Sequence, residues 1–368
     1  MIFMLRKISF IACVMLLMLS WDIALSEVST YRLKNIELGV SFPPVKNNKE
    51  LEFSYKKLQE VNVKRIRFAE NWKHREPKNN KFNWTGLDTR IDFLSRRNID
   101  FLLTIQSDGP DWIKTNSSSH NKNSIAFNSD NNIEFASYLD KLLQRYKGKI
   151  KEIQFGNEWQ AKWWYSGSKE EFTKTQNLFY STVKKHAPEI SVVLGGFSID
   201  ALRALAASQG LIGKYRNDAG KLINSVKIKK LLRTKKAQDY INRITYVLKH
   251  SRYDVIDIHL YDDPENWQYY LAAIKAIKPD IQVIVSEFGG PNTRWTDYSD
   301  WLHKKELVKY IKVLDTMNIK YALYFKLVES SSVNHEKSGL LNQRLQKKPG
   351  YFIFKKIINS SGRTKLTH

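Results

Sequence analysis

The chain has 368 residues, 42% hydrophobic and 12% aromatic, which supports a sizeable core and is too apolar for a disordered protein. Its one cysteine, Cys13, excludes an intramolecular disulfide and a cysteine-built metal site. With 60 basic and 37 acidic residues the net charge is +23. Such an excess attracts polyanions (nucleic acid, anionic lipid, acidic polysaccharide), although a lysine-rich composition alone produces the same number.

Met1 to Ser26 carries Arg6 and Lys7, runs apolar from Ile8 to Trp21 and ends Ala24-Leu25-Ser26 before Glu27. This is the layout of a secretory signal peptide. The alternative is an uncleaved anchor, for which the apolar run is short. The expectation is therefore a signal peptide over 1–26, one catalytic domain over 27–368, and an exported protein, secreted or periplasmic. Export argues against nucleic acid as a partner, and a monomer is expected.

Short β-branched or aromatic runs then alternate with helical patterns. The runs are Ile36–Phe42, Val63–Glu70, Asp100–Gln106, Lys151–Glu158, Ser191–Phe197, Asp254–Tyr261, Ile281–Gly289 and Tyr321–Leu327. Helical patterns fall on Glu50–Glu60, Gly86–Arg97, Asn132–Tyr146, Glu170–His186, Ala237–His250, Trp267–Ile277 and Trp301–Met317. Eight nearly continuous apolar runs between helices predict a parallel sheet buried on both faces. At this length the expected α/β fold is a single-domain (β/α)8 TIM barrel. A doubly wound open sheet is the alternative, but no Gly-x-Gly-x-x-Gly follows the first run.

Two connections exceed what a barrel needs. Phe197–Lys236 holds the basic stretch Lys221–Lys236, with apolar residues at roughly helical spacing. It reads either as a solvated helix face or as a peripheral contact with an anionic surface. Ser107–Asn132 is rich in Ser, Asn and Asp and follows the third run, on the side where barrel enzymes build their sites.

The strand tips carry the chemistry in such a fold. Arg67 lies near the end of the second run, Asn157 and Glu158 end the fourth, His259 and Tyr261 the sixth, and Glu287 nears the end of the seventh. A carboxylate closing an apolar strand costs several kcal/mol unless paired, roughly, so two of them need a reason. The fourth and seventh strands face each other across a barrel mouth. Glycoside hydrolysis needs two such carboxyls, one to protonate the leaving oxygen and one to attack the anomeric carbon or activate water. For either glutamate alone, a salt bridge is as good an account.

"GNE" at 156–158 and "SEFG" at 286–289 resemble the signature of the clan A glycoside hydrolases, retaining (β/α)8 enzymes, in family 39-like or family 5-like form. The resemblance implies Glu158 as acid/base, Glu287 as nucleophile and Asn157 as the ligand of the sugar 2-hydroxyl. It further implies Tyr261 and His259 as contacts to the nucleophile and sugar, and Arg67 as the group that keeps the nucleophile ionised. The roles agree with elementary electrostatics: a cation beside Glu287 favours its charged form, while an apolar setting beside Trp159 and a second carboxylate favour a proton on Glu158.

The sequence departs from the clan at the eighth strand, where many members end in a sugar-flooring tryptophan and this chain reads "YFKLVE". Tyr324 is the expected smaller floor. Lys326 is expected either to meet a substrate carboxylate or to bridge to Glu329. Trp159, Trp163 and Trp164 follow the acid, while Trp72, Trp112 and Trp295 follow the second, third and seventh strands. Aromatic faces stack on sugar rings, so together they imply a cleft with several subsites, although a core role suits any one of them. No metal and no organic cofactor are implied. The expected activity is cleavage of a polysaccharide, acidic by preference; the competing readings are a non-catalytic glycan-binding barrel and a peripheral membrane or matrix protein.

Overall fold

The computed structural model describes residues 31–113, 131–330 and 336–360. Met1–Ser26 and most of the long loop after the third strand lie outside them. Eight parallel strands close into a barrel. We label the barrel strands β1 (Glu37–Ser41), β2 (Arg65–Glu70), β3 (Asp100–Ile105), β4 (Glu152–Phe155), β5 (Ser191–Phe197), β6 (Val255–Leu260), β7 (Gln282–Phe288) and β8 (Tyr321–Tyr324). Closure is made by β8 pairing with β1, Glu37 opposite Tyr321. This is the TIM barrel expected, and the open sheet is excluded.

All seven expected helices are present within three residues of their read limits, and helices over Ile199–Ser208 and Pro349–Asn359 add to the outer ring. Their starts follow local chemistry. Ser168 and Glu171 form a reciprocal capping box at Lys169–His186. Pro349 opens Pro349–Asn359 at a position where its missing N–H is harmless.

Strand alternation sorts the residues. Ile66, Phe68, Ile153, Phe155, Ile256 and Ile258 pack outward into the core under the helices. Leu102, Val193, Val255, Ile284, Tyr321 and Leu323 form a separate apolar layer inside the barrel. Below that layer Arg65 bonds Glu37 (3.0 Å) and Glu152 (3.2 Å). Above it lies a second polar layer, which carries the candidate site.

Three departures from the expected elements shape the mouth. First, β4 stops at Phe155 rather than Glu158, because Gly156 turns the chain at φ 74° and Glu158 follows at φ 40°. A left-handed glutamate is an unusual conformation of the kind that gathers at functional sites. Second, β7 bulges: Ile258 pairs with Val285 but His259 with Glu287, so Ser286 is an extra residue. The bulge brings both Ser286 and Glu287 to the site, where strict alternation presents only one. Third, Lys221–Lys236 is not one helix. Leu222–Asn224 pairs with Lys214–Arg216 as an antiparallel hairpin, and the helix proper runs over Ser225–Leu232. That helix buries only Ile228 and leaves Val226 74% exposed.

Candidate active site

Arg67, fully buried on β2, organises the upper layer. Its Nε donates to Thr104 Oγ1 at 2.9 Å. Nη2 donates to Gln154 Oε1 at 2.9 Å and Asn157 Oδ1 at 2.7 Å, and Nη1 to Glu287 Oε1 at 2.6 Å. The guanidinium thus ties β2, β3 and β4 to the β7 carboxylate through charge-assisted bonds. Because Asn157 spends its carbonyl oxygen on Arg67, the amide N–H groups are the end with which it can meet a hydroxyl. Tyr261 donates to the other oxygen of Glu287 at 2.5 Å. Burial, and then the Glu287 charge, push the Tyr261 phenol well above its ordinary range, so it stays a donor.

His259 joins the two glutamates. Its Nδ1 lies 2.9 Å from Glu158 Oε1, and its Nε2 lies 3.5 Å from Glu287 Oε1. The ring fits because β5 has glycine at 196, where a Cβ atom would stand 2.1 Å from Nε2. Burial opposes a charged imidazole here, yet Glu287 and Asp257 outweigh it and raise the pKa of His259 to about 10. Trp164 donates its indole N–H to Glu158 Oε2 at 3.1 Å.

The structure brings Arg67, Asn157, Glu158, His259, Tyr261 and Glu287, all expected at the site from the sequence, into one connected network. Sequence reading misses Trp164 as a direct partner of Glu158. It also misses the layer beneath: Thr104, Gln154, Asp257 and Ser286 are polar residues within apolar strands, a signal the sequence carried.

The aromatic expectations divide. Trp72 is fully buried against Trp112, Phe135 and Tyr138, and its indole N–H donates to Glu76 at 2.7 Å, so it is a core residue and offers no face to a sugar. Trp159 is likewise fully buried, stacked on Phe172 at 4.7 Å with its N–H on Gly195 O. Trp112 is half-buried and donates to Glu76 O at 2.8 Å, serving the same cluster. Trp163 is 57% exposed beside Trp164, and the half-buried Trp295 lies against the turn at Gly220.

Tyr324 is not the floor. It faces outward, fully buried, donates to Ser338 O at 2.5 Å and accepts from His303 at 2.7 Å. The reason is parity: Tyr321 and Leu323 point into the barrel, so Tyr324 points away. Phe325, the next residue, is half-buried with its ring edge-on to Tyr261 (5.8 Å) and Phe42 (6.2 Å). Lys326 is half-buried. Burial lowers its pKa while Glu287 pulls the other way. Glu329 bonds Lys348 at 2.5 Å, and the Lys326 ammonium makes no ion pair among the described residues.

The family model for glycosyl hydrolase family 42, described as beta-galactosidase, matches residues 42–124. No curated protein sequence matches the chain. Among solved structures it resembles an exo-β-1,4-mannosidase of Opitutaceae bacterium strain TAV5, at 15% identity and TM-score 0.61 over 88% of this chain and 59% of the other. It also resembles a family 39 glycoside hydrolase of Bacteroides cellulosilyticus WH2, at 15% identity and TM-score 0.57 over 90% and 64%. A family 5 glycoside hydrolase of Streptomyces cattleya in complex with Manβ1-4GlcNAc gives 13% identity and TM-score 0.64 over 90% and 82%. The chain thus spans less than two thirds of the first two. The shared barrel, the family match and the paired glutamates fit a clan A glycoside hydrolase.

Proposed function

We propose that this protein is an exported, retaining glycoside hydrolase acting on a polysaccharide, by preference an anionic one. The observation that carries the reading is the unequal treatment of two facing carboxyls. Glu287 is held on one oxygen by Arg67 and on the other by Tyr261, as suits a nucleophile that must stay ionised and aimed. Glu158 is held by an imidazole ring and an indole N–H, as suits a group that trades a proton.

In this mechanism a sugar ring rests on Phe325, with its 2-hydroxyl on the Asn157 amide. Glu287 attacks the anomeric carbon as Glu158 protonates the departing oxygen. Glu158 then takes a proton from water, which attacks the same carbon and releases Glu287. Lys326 makes no ion pair among the described residues, lies 5.2 Å from the centroid of the Phe325 ring and feels the Glu287 charge, which supports an anionic group on the substrate, in keeping with the +23 net charge.

The test compares wild type with E158Q and E287Q on a panel of neutral and uronic-acid polysaccharides, scoring new reducing ends. Cleavage lost in both variants is expected. Cleavage surviving in either removes the assignment, and binding without cleavage by all three favours a glycan-binding barrel.

A second reading rests on the helix Ser225–Leu232, whose outer side presents Val226, Lys227, Lys229 and Lys230 to solvent. It is the peripheral contact with an anionic surface, which would keep the enzyme near its substrate. Retention on anionic but not neutral vesicles, lost at high salt, is its measurement.

A further inference from the structure

Beneath the two glutamates lies a carboxylate that hydrolysis as described does not employ. Asp257 sits on β6 two residues before His259, fully buried inside the barrel. Its Oδ1 accepts from Ser286 N at 2.8 Å. Its Oδ2 accepts from Ser286 Oγ at 2.5 Å and Gln154 Nε2 at 2.7 Å, and stands 3.4 Å from His259 Nε2.

The bonds decide where protons lie. A hydroxyl has one proton, and Ser286 gives it to Asp257. At 3.2 Å from His259 Nε2, the same oxygen can then only accept, so Nε2 carries hydrogen. The second nitrogen, Nδ1, faces Glu158 Oε1 at 2.9 Å with one proton between them. Two states satisfy the bonds to Ser286 and Glu158: an imidazolium beside a Glu158 carboxylate, or an Nε2–H imidazole beside a Glu158 acid; in both, Arg67 Nη1, 3.4 Å from Nε2, stands as a neighbouring cation and not as a donor to it.

We propose that Asp257 is a positioning residue for acid catalysis, which fixes the Nε2–H form of His259 through Ser286 so that Nδ1 can pass its proton to Glu158. This rests on the glycosidase reading. In the transfer the Nδ1–H bond breaks and the Glu158 Oε1–H bond forms, turning imidazolium and carboxylate into neutral imidazole and acid. Glu158 then gives that proton to the glycosidic oxygen as the C–O bond breaks. In the second half-reaction the proton taken from water returns from Glu158 to Nδ1.

The charged groups facing the ring are Glu158 from the β4 tip, Arg67 from β2 with Nη1 at 3.4 Å, Glu287 from β7 and Asp257 on its own strand; β5 offers only Gly196. Three anions against one cation favour the imidazolium in the free protein. With Asp257 replaced by asparagine, one anion is lost and the imidazolium gives up its proton at lower pH.

The experiment has two arms. In the first, nitrogen-15 NMR of the ligand-free wild type, with the His259 signal assigned by its loss in H259Q, reports the ring state without any substrate. Both nitrogens protonated at pH 7 are expected, with the midpoint moved down by about one unit or more in D257N and by less in S286A. A His259 neutral at pH 7, or carrying hydrogen on Nδ1 alone, overturns the proposal while leaving the glycosidase reading intact.

The second arm uses glycosides the wild type cleaves, with poor and with activated leaving groups. D257N is expected to lose about 10²-fold in kcat/KM on the poor ones, and only a few-fold on the activated ones, which need no acid. Its alkaline limb should move to lower pH. Equal loss on both, with the limb unmoved, overturns the proposal. Absence of any cleavage by wild type sinks the glycosidase reading and the proposal that rests on it.

Discussion

Arg65 and Arg67 stand two residues apart on β2 and point into the same barrel, yet Arg65 meets three carboxylates while Arg67 meets one, Glu287, and three neutral side chains, so they build opposite kinds of site. The lower network is closed. Arg65 bonds Glu37, Glu152 and, at 3.4 Å, Asp100; Glu152 also takes Lys320 at 2.5 Å and the Tyr321 hydroxyl at 2.8 Å. The upper network is left unfinished. Arg67 holds Asn157 and Glu287 by one oxygen each, and the Asn157 N–H groups lie at the end away from the guanidinium. A polar cluster that satisfies itself stabilises a barrel; one that is organised from beneath and left incomplete above is suited to chemistry.

The largest effects should come from breaking the two networks in parallel. R67M strands a buried carboxylate and releases the Asn157 amide, so it should destabilise the fold by about 3–5 kcal/mol and reduce kcat/KM by about 10²-fold or more. R65M should cost comparable stability, yet the molecules that remain folded should turn over at close to the wild-type rate. Denaturant midpoints paired with active-site-normalised kinetics check both. A large kcat loss in R65M, at full occupancy of the fold, would erase the distinction between the layers.

Next in size is a pair of aromatics side by side on the chain, one buried and one half-buried. Tyr324 fills space behind the barrel against Phe288 and Phe354, so Y324A should cost about 3–5 kcal/mol with little change in KM. Phe325 is half-buried beside Tyr261, so F325A should cost less stability and raise KM several-fold. The opposite ranking would return the sugar floor to Tyr324.

That pair shows how far the sequence could be read. The eight apolar runs were legible because a parallel strand buried on both faces has no polar residue to spare, and Glu158 and Glu287 stood out against that background. Tyr324 departs from its expected place as a floor, although parity alone, counted from Tyr321 and Leu323, turns it outward. Trp72 and Trp159 were read as ligands because a tryptophan after a strand looks the same whether it folds back into the core or over the cleft. The β7 bulge had no local signature: "VIVSEF" alternates acceptably, and only the pairing with β6 and β8 shows that Ser286 is the extra residue. Asp257 was visible as a charge inside an apolar strand, but its use depends on Ser286 and Gln154, far away in sequence.

His259 and His303, the two buried histidines among the described residues, sharpen the comparison through pH. His259 is held charged, with a folded pKa of about 10 against an ordinary 6.5, so the stability it contributes is complete below about 6.5 and fades as pH rises through 10. His303 is the reverse. Burial first, then Lys348, lowers it to about 3, so the folded state binds fewer protons than the unfolded one and stability falls as pH drops from about 6.5 toward 3. H303Q should therefore flatten the acid limb of the melting-temperature profile while H259Q flattens the alkaline limb. Identical profiles for the two variants would show that neither ring holds the charge state assigned to it.

The smallest effect expected is also the most specific. Lys326 follows Phe325 and is half-buried, drawn toward its neutral form by burial and back toward charge by Glu287. An exposed lysine in that place would be indifferent to its substrate; a half-buried one without an ion pair among the described residues gains most from an anion that arrives with the sugar. K326M keeps much of the stem and removes the charge, so KM should rise about three- to tenfold for a uronic-acid glycan and stay level for a neutral one, with kcat little altered. If both substrates shift alike, the lysine shapes the cleft without reading charge, and the preference for an anionic glycan loses its residue.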